Sequence, residues 1–185
     1  YDRTDLVNAA MFNVAKVLIE GVILVIILLF LFLGDVRSSL IVVATLLLTP
    51  LLTFLVMNRY GISANLMSLG GLAIAIGMMV DGSVVVVEHA FARLSGKKGA
   101  PNRVRGETIF RAVKEVGTPV VFGVGIICLV FLPLMTLQGI EGKLFSPLAY
   151  TIAIALFASL IISLVLSPVL CSFILDGREE KENGL

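Results

Sequence analysis

Residues 77–88 read GMMVDGSVVVVE, an apolar segment with one aspartate, Asp81, inside it and one glutamate, Glu88, at its end. A charged side chain near the centre of a bilayer costs about 2.5–3.5 kcal/mol on insertion scales. A carboxylate in such a segment is therefore expected to have a function or a partner. The rest of the sequence decides whether this segment lies in a membrane.

The composition is that of an integral membrane protein. The chain has 185 residues, of which 58% are hydrophobic and 15% are charged, and its mean hydropathy is +1.07. A soluble domain of this size has too little interior to bury so much apolar surface. We therefore expect an all-α membrane protein whose surroundings are the lipid bilayer. The net charge of +1 gives no indication of nucleic-acid binding, and none is expected.

Five segments have the roughly 20 apolar residues that a helix needs to cross a bilayer. The stretch before the first has helical spacing, so we expect one long helix that stands out of the membrane before entering it. The polar connection after the third contains apolar residues that fit one face of a short surface helix. The predicted organisation is a periplasmic approach over 1–17, transmembrane helices over 18–33, 38–58, 62–88, 117–138 and 147–175, a cytoplasmic amphipathic helix over 102–115, and a cytoplasmic tail over 176–185.

The distribution of Lys and Arg predicts the orientation. Because five spans place successive connections on alternate sides, ten of the 14 basic residues fall on one side and four on the other. The side with ten is predicted to be cytoplasmic, which puts the N-terminus in the periplasm and the C-terminus in the cytoplasm of a bacterial inner membrane. The chain begins with Tyr1 and has no signal-peptide pattern. We therefore expect a piece of a longer protein.

Asp81 and Glu88 share one face of the third span, because seven residues make nearly two helical turns. Gly70 and Gly77 lie on the same face, and small residues there predict close helix packing. The carboxylates are therefore expected to point at a partner helix. No Lys or Arg lies in the core of a span, so Asp81 is either protonated or paired with a cation from outside this chain. Such a group titrates readily and can carry a proton; the alternative is a static interhelical hydrogen bond with Ser83 or a threonine.

Two stretches resemble resistance–nodulation–division (RND) efflux pumps. Residues 67–94, MSLGGLAIAIGMMVDGSVVVVEHAFARL, are similar to the fourth transmembrane helix of that family. Residues 132–149, LPLMTLQGIEGKLFSPLA, have the form typical of its heavy-metal efflux branch, the CusA/CzcA-like inner-membrane transporters. The resemblance covers nearly the whole chain and implies that the five spans are helices two to six of twelve, in the first half of the membrane domain.

The resemblance implies a proton antiporter that exports a metal cation. The family's intramembrane acid falls on Asp81 and its second helix-four carboxylate on Glu88, so these two residues are the expected proton relay. The intact protein would be a homotrimer that works with a periplasmic adaptor and an outer-membrane channel. The lysine partner of the acid lies in the remaining half of the pump, and the metal-capturing cleft lies in its periplasmic domains, both outside this chain.

The identity of the metal is left open by the same resemblance. Met67 and Met79 fall on two positions of a methionine path in the copper/silver subgroup, which makes them a candidate metal path. Leu156 stands where the sixth helix of that subgroup offers a matching methionine. Ala75 stands where zinc/cobalt-type members often carry another acid, and His89 stands where Asn is usual.

No catalytic motif and no cluster with metal-ligand spacing is visible. Neither enzymatic activity nor a cofactor is therefore expected. The sequence predicts the membrane part of a proton-driven heavy-metal efflux transporter. The alternatives are a non-transporting membrane anchor or assembly protein, a decayed pump fragment, or an RND transporter of another substrate, such as drugs.

Overall fold

The structure is a computed structural model that describes residues 3–95 and 102–174. Six helices make up these two ranges. Short connections join the helices, and a single π-helical turn links the last two. No strand occurs within these two ranges. The elements are α1 (Arg3–Leu33), α2 (Val36–Arg59), α3 (Leu66–Ser95), α4 (Asn102–Met135), α5 (Gly139–Ile161), the π turn (Ile162–Leu166) and α6 (Ser167–Ile174).

Five helical segments in the described ranges are long and apolar enough to cross a membrane. The fifth consists of α5, the π turn and α6 in one continuous run. This confirms the predicted all-α membrane fold with five apolar helices. The predicted tail over 176–185 lies outside the described residues.

The helix boundaries differ from the predicted ones at α4 and at the fifth span, which begins at Gly139, eight residues before the predicted start. α1 is one long helix that continues through residue 17, as the sequence predicts. The amphipathic segment 102–115 is helical but is not a separate helix, because α4 runs unbroken from Asn102 to Met135. The change from charged to apolar side chains near residue 116 needs no break, since the backbone hydrogen bonds of a helix do not depend on side-chain polarity.

α3 begins at Leu66, four residues after the predicted start, because Asn65 caps it. The Ser68 amide donates to Oδ1 of Asn65 at 2.8 Å, and the Asn65 amide donates to Oγ of Ser68 at 2.8 Å. This reciprocal pair satisfies two backbone donors at the helix start, as a capping box does. The cap therefore fixes where α3 begins and, by the helical repeat, which way Asp81 faces.

α3 is the central helix because it contributes more buried residues to the two apolar cores than any other helix. One core joins α3 to α2, α4 and α6 around Val86 and Ala90. The other joins α3 to α2 and α5 around Ala75 and Met79. The apolar segments of α1 and α4 contain almost no buried residue, whereas those of α2, α3 and α5 contain many. The latter three helices thus form the inner layer that holds Asp81 in place.

The π turn has a local cause in the sequence that follows it. The Ser167 amide donates to the carbonyl of Ile162, five residues back, where a regular helix would use the residue four back. Pro168 comes next and has no amide hydrogen, and its ring clashes with the carbonyl four residues earlier in a regular helix. A wider turn before the proline relieves this clash.

Candidate functional site

Asp81 lies in the middle part of α3, about 22 Å along the helix axis from Leu66. Glu88 follows two turns later on the same rigid helix. The structure therefore keeps the two predicted relay carboxylates on one side of α3, with about 10 Å of axial rise between them.

One face of α3 is not covered by any other described helix. Its members follow the helical spacing of three and four residues and include Asp81. The opposite face, with Ala75 and Met79, is buried against the rest of the protein. Asp81 therefore points away from the core formed by the described helices. The exposed face is formed by Ile74, Gly77, Asp81, Val85 and Glu88.

Asp81 and Glu88 have no hydrogen-bond or ion-pair partner in residues 3–95 and 102–174. The basic side chains with ion pairs in these ranges bind other carboxylates, as Lys16 binds Glu20 at 3.9 Å. The static hydrogen bond with Ser83 that the sequence left open is not formed, since Ser83 is buried and Asp81 is exposed. A partner for Asp81 would have to come from another part of the protein.

Two serines from the fifth span hold the backbone of α3 on either side of Asp81. The hydroxyl of Ser159 donates to the carbonyl of Met79 at 3.4 Å. The hydroxyl of Ser163, in the π turn, donates to the carbonyl of Gly82 at 3.2 Å. Both serines are buried. Sequence reasoning missed them, although their spacing of four residues in an apolar helix was a usable signal.

The close approach of a second helix to α3 occurs at Gly71. A Cβ placed on Gly71 would lie 2.7 Å from the carbonyl oxygen of Leu148 in α5. A Cβ on Gly70 or Gly77, the predicted packing residues, would have no atom of the described residues within 4 Å. Among these three glycines, Gly71 is therefore the one that allows α5 to pack closely on α3. Gly70 and Gly77 leave space beside the face of α3 that carries Asp81.

The two methionines of the candidate metal path lie in different surroundings. Met79 is buried in the apolar core shared by α3 and α5, and Leu156 belongs to the same core. Met67 is half-buried near the start of α3. Twelve residues separate the two sulfurs along one helix, about 18 Å of axial rise. The structure does not bring them together.

An ion-pair cluster that the sequence does not predict joins the end of α3 to α4. Nε2 of His89 lies 2.8 Å from Oε2 of Glu115, and Nη2 of Arg93 donates to the same oxygen at 2.6 Å. Glu115 lies in the charged part of α4, ahead of its apolar span. The hydrogen bond with His89, together with the Arg93 charge, lowers the pKa of the Glu115 carboxyl below its usual value. His89 therefore takes part in a contact between α3 and α4, and it does not contact Asp81.

No group of three or more His, Cys, Asp or Glu side chains in the described ranges could hold a metal ion. The chemistry that this part of the chain offers is that of a lone carboxylate in an apolar helix. The negative charge of an ionised carboxylate attracts a neighbouring cation.

Comparisons with known proteins give consistent matches over the whole chain. The profile of the AcrB/AcrD/AcrF family matches residues 1–185. The cobalt-zinc-cadmium resistance protein CzcA of Cupriavidus metallidurans is 44% identical over 100% of this chain and 18% of its own length. The cation efflux system protein CusA of Escherichia coli strain K12 is 38% identical, again over 100% of this chain and 18% of its own. The chain thus spans less than a fifth of the length of these curated relatives.

A crystal structure of a heavy metal efflux pump has the same fold in the matching part. It superimposes with a TM-score of 0.76 at 41% sequence identity, over 90% of this chain and 16% of the pump. The helix arrangement described above is therefore that of one section of a much larger membrane protein.

Proposed function

The chain belongs to the AcrB/AcrD/AcrF family, and from this premise we propose that it is part of the membrane domain of a proton-driven heavy-metal efflux transporter. The proposed cargo is a metal cation, because relatives of this chain are named for resistance to cobalt, zinc and cadmium and for cation efflux. The proposed proton carrier is Asp81, with Glu88 as a second carboxylate on the same path.

The observation that carries this proposal is the placement of Asp81 on an uncovered face of α3. A charged carboxylate facing lipid at this depth would cost about 2.5–3.5 kcal/mol. The face is therefore expected to be covered in the complete protein. Gly70 and Gly77 leave space for a helix to approach there. We propose that a helix from the other half of the pump fills this space and brings a cation to Asp81.

The proposed mechanism follows from the charge of one group. When Asp81 is ionised, it attracts the cation of the other half, and the two halves are held in one arrangement. When Asp81 takes up a proton, that attraction is lost and a second arrangement becomes favoured. A ligand or proton can shift such an equilibrium only by its different affinity for the two states. Alternating access of Asp81 to the two sides would then couple proton entry to metal export.

The proposed orientation places the basic connections in the cytoplasm. The connection between α3 and α4 and the first part of α4 hold six of the 14 Lys and Arg residues. The positive-inside rule then puts the start of α1 and the connection between α2 and α3 on the periplasmic side. Asp81 would lie somewhat closer to the cytoplasmic surface, and Glu88 near that surface.

The proposed assembly is the one that RND pumps use. The intact protein would be a homotrimer in the inner membrane, with a periplasmic adaptor and an outer-membrane channel completing the export path. A transporter that moves cargo across both membranes needs these partners, because the inner-membrane pump alone reaches only the periplasm.

The experiment that tests the proposed function replaces Asp81 by Asn in the complete pump. Asn has nearly the same size and cannot carry a proton, so metal export should fall to the level of cells without the pump. Membrane content and trimer assembly should be unchanged. Glu141→Gln, at an exposed carboxylate in the first turn of α5, is the matched control and should retain export. Normal export by the Asp81→Asn pump would refute the role of Asp81.

A further inference from the structure

A groove of about 770 Å³ lies between the first half of α4 and the segment formed by the π turn and α6. Its walls are mostly apolar, with Phe110 and Phe122 on the α4 side and Leu164 and Val169 on the other. Among the described residues that line it, Lys114 is the only charged one. The groove is thus an apolar channel with one cation beside it.

The groove crosses the level at which α4 changes from charged to apolar. Charged residues recur along α4 up to Glu115, and none follows between Val116 and Met135. Lys114 therefore stands at the boundary where lipid phosphates lie in a bilayer. Phe122, eight residues further on, is about 12 Å deeper along the helix axis. The lining extends equally far from Lys114 in the other direction, to Gly106. Only the part of the groove between Lys114 and Phe122 would therefore lie among acyl chains.

The ammonium group of Lys114 is available to an anion. Lys114 forms no ion pair with the residues that the structure describes. Its charged neighbours on α4 are already engaged: Arg111 donates to Glu107 at 2.7 Å, and Glu115 accepts from Arg93 at 2.6 Å. Because Glu115 and Glu107 have basic partners of their own, neither neutralises Lys114.

We propose that this groove binds an anionic phospholipid, with the acyl chain between α4 and α6 and the phosphate at Lys114. The apolar walls suit an acyl chain, whose burial is favoured wherever the groove would otherwise be unfilled. A single basic residue near an anionic lipid surface contributes about 1 kcal/mol. The predicted preference is thus for a lipid with a net negative headgroup, such as phosphatidylglycerol, over zwitterionic phosphatidylethanolamine. This inference does not depend on the role of Asp81.

The test uses the complete pump in nanodiscs that contain phosphatidylglycerol with a photoreactive diazirine on its acyl chain. After irradiation, mass spectrometry locates the lipid adducts on peptides. The expected result is adducts within residues 106–122 and 164–172. Lys114→Gln should lower their yield about fivefold, the factor that corresponds to roughly 1 kcal/mol. Lys143→Gln, at an exposed lysine near the start of α5, is the matched control and should leave the yield unchanged.

A second variant tests the groove without changing its charge. Gly117 lines the groove on the apolar side of Lys114, and a Cβ placed there would lie 3.5 Å from Cδ2 of Leu164, an ordinary van der Waals distance. Gly117→Phe should reduce the adducts by occupying the space of the acyl chain. The proposal is overturned if adducts are absent from both peptides, or if a diazirine phosphatidylethanolamine labels them equally well. It is also overturned if cross-linking shows another segment of the pump lying in the groove.

Discussion

The hydroxyl of Ser163 donates a hydrogen bond to the carbonyl of Gly82, 3.2 Å away, and Gly82 directly follows Asp81 in α3. The π turn places Ser163 in this position, and the proline that follows the turn explains why it forms. The backbone that carries Asp81 is therefore attached to the fifth span, while the Asp81 side chain faces the other way. We expect α3 and the fifth span to move together as one unit. This unit would move relative to the helix that covers the Asp81 face in the complete pump.

Ser163→Ala should weaken the packing of α3 on the fifth span. Hydrogen bonds between membrane helices contribute about 0.6 kcal/mol on average and at most about 1.7 kcal/mol. A loss of stability in this range is expected in thermal unfolding of the complete pump in detergent. Ser172→Ala is the control, because that hydroxyl is exposed and donates to Val169 within its own helix. Equal stability of the two variants would contradict the proposed attachment.

Gly71→Ala should be destabilising, although alanine is the better helix former. The added Cβ would lie 2.7 Å from the carbonyl oxygen of Leu148, which is backbone and cannot rotate away. Overpacking of this kind typically costs about 1–3 kcal/mol. The measurement is the unfolding midpoint of the complete pump. The control is Gly125→Ala on the exposed side of α4, where the Cβ meets nothing within 4 Å. If Gly71→Ala is as stable as this control, the close approach of α3 and α5 is wrong.

Met79→Leu should leave both folding and metal export intact. Met79 is 4% exposed in an apolar core that also contains Leu156, and volume-conserving swaps in cores usually cost less than about 1.5 kcal/mol. Thioethers bind soft ions such as Cu(I). Resistance of cells to copper and to zinc is the measurement. A loss of resistance to copper alone would show that Met79 lies on a metal path after all.

The number of spans and the side of α3 that carries Asp81 could be predicted from the sequence. Hydropathy identifies apolar helices, and the helical repeat relates Asp81 to Glu88. Both depend only on residues close together in the chain. Side-chain polarity wrongly predicts a helix end near residue 116, because α4 continues unbroken from Asn102 to Met135.

The packing partners could not be predicted, because they depend on residues far apart in the sequence. Gly70 and Gly71 are adjacent glycines, and only the position of Leu148 makes Gly71 the tight one. Ser163 bonds to Gly82 across 81 positions of the chain. The pairing of His89 with Glu115 likewise depends on the relative placement of α3 and α4, which are joined by residues 26 positions apart.

Difference infrared spectroscopy of the complete pump, recorded while the pH is varied around neutrality, tests most directly whether Asp81 carries a proton. The account predicts a band from a protonated carboxylic acid that appears and disappears within this range and is missing from Asp81→Asn. The same band should remain in Glu141→Gln. The account would be contradicted if the Asp81 carboxyl kept one protonation state at every pH, with and without transported metal.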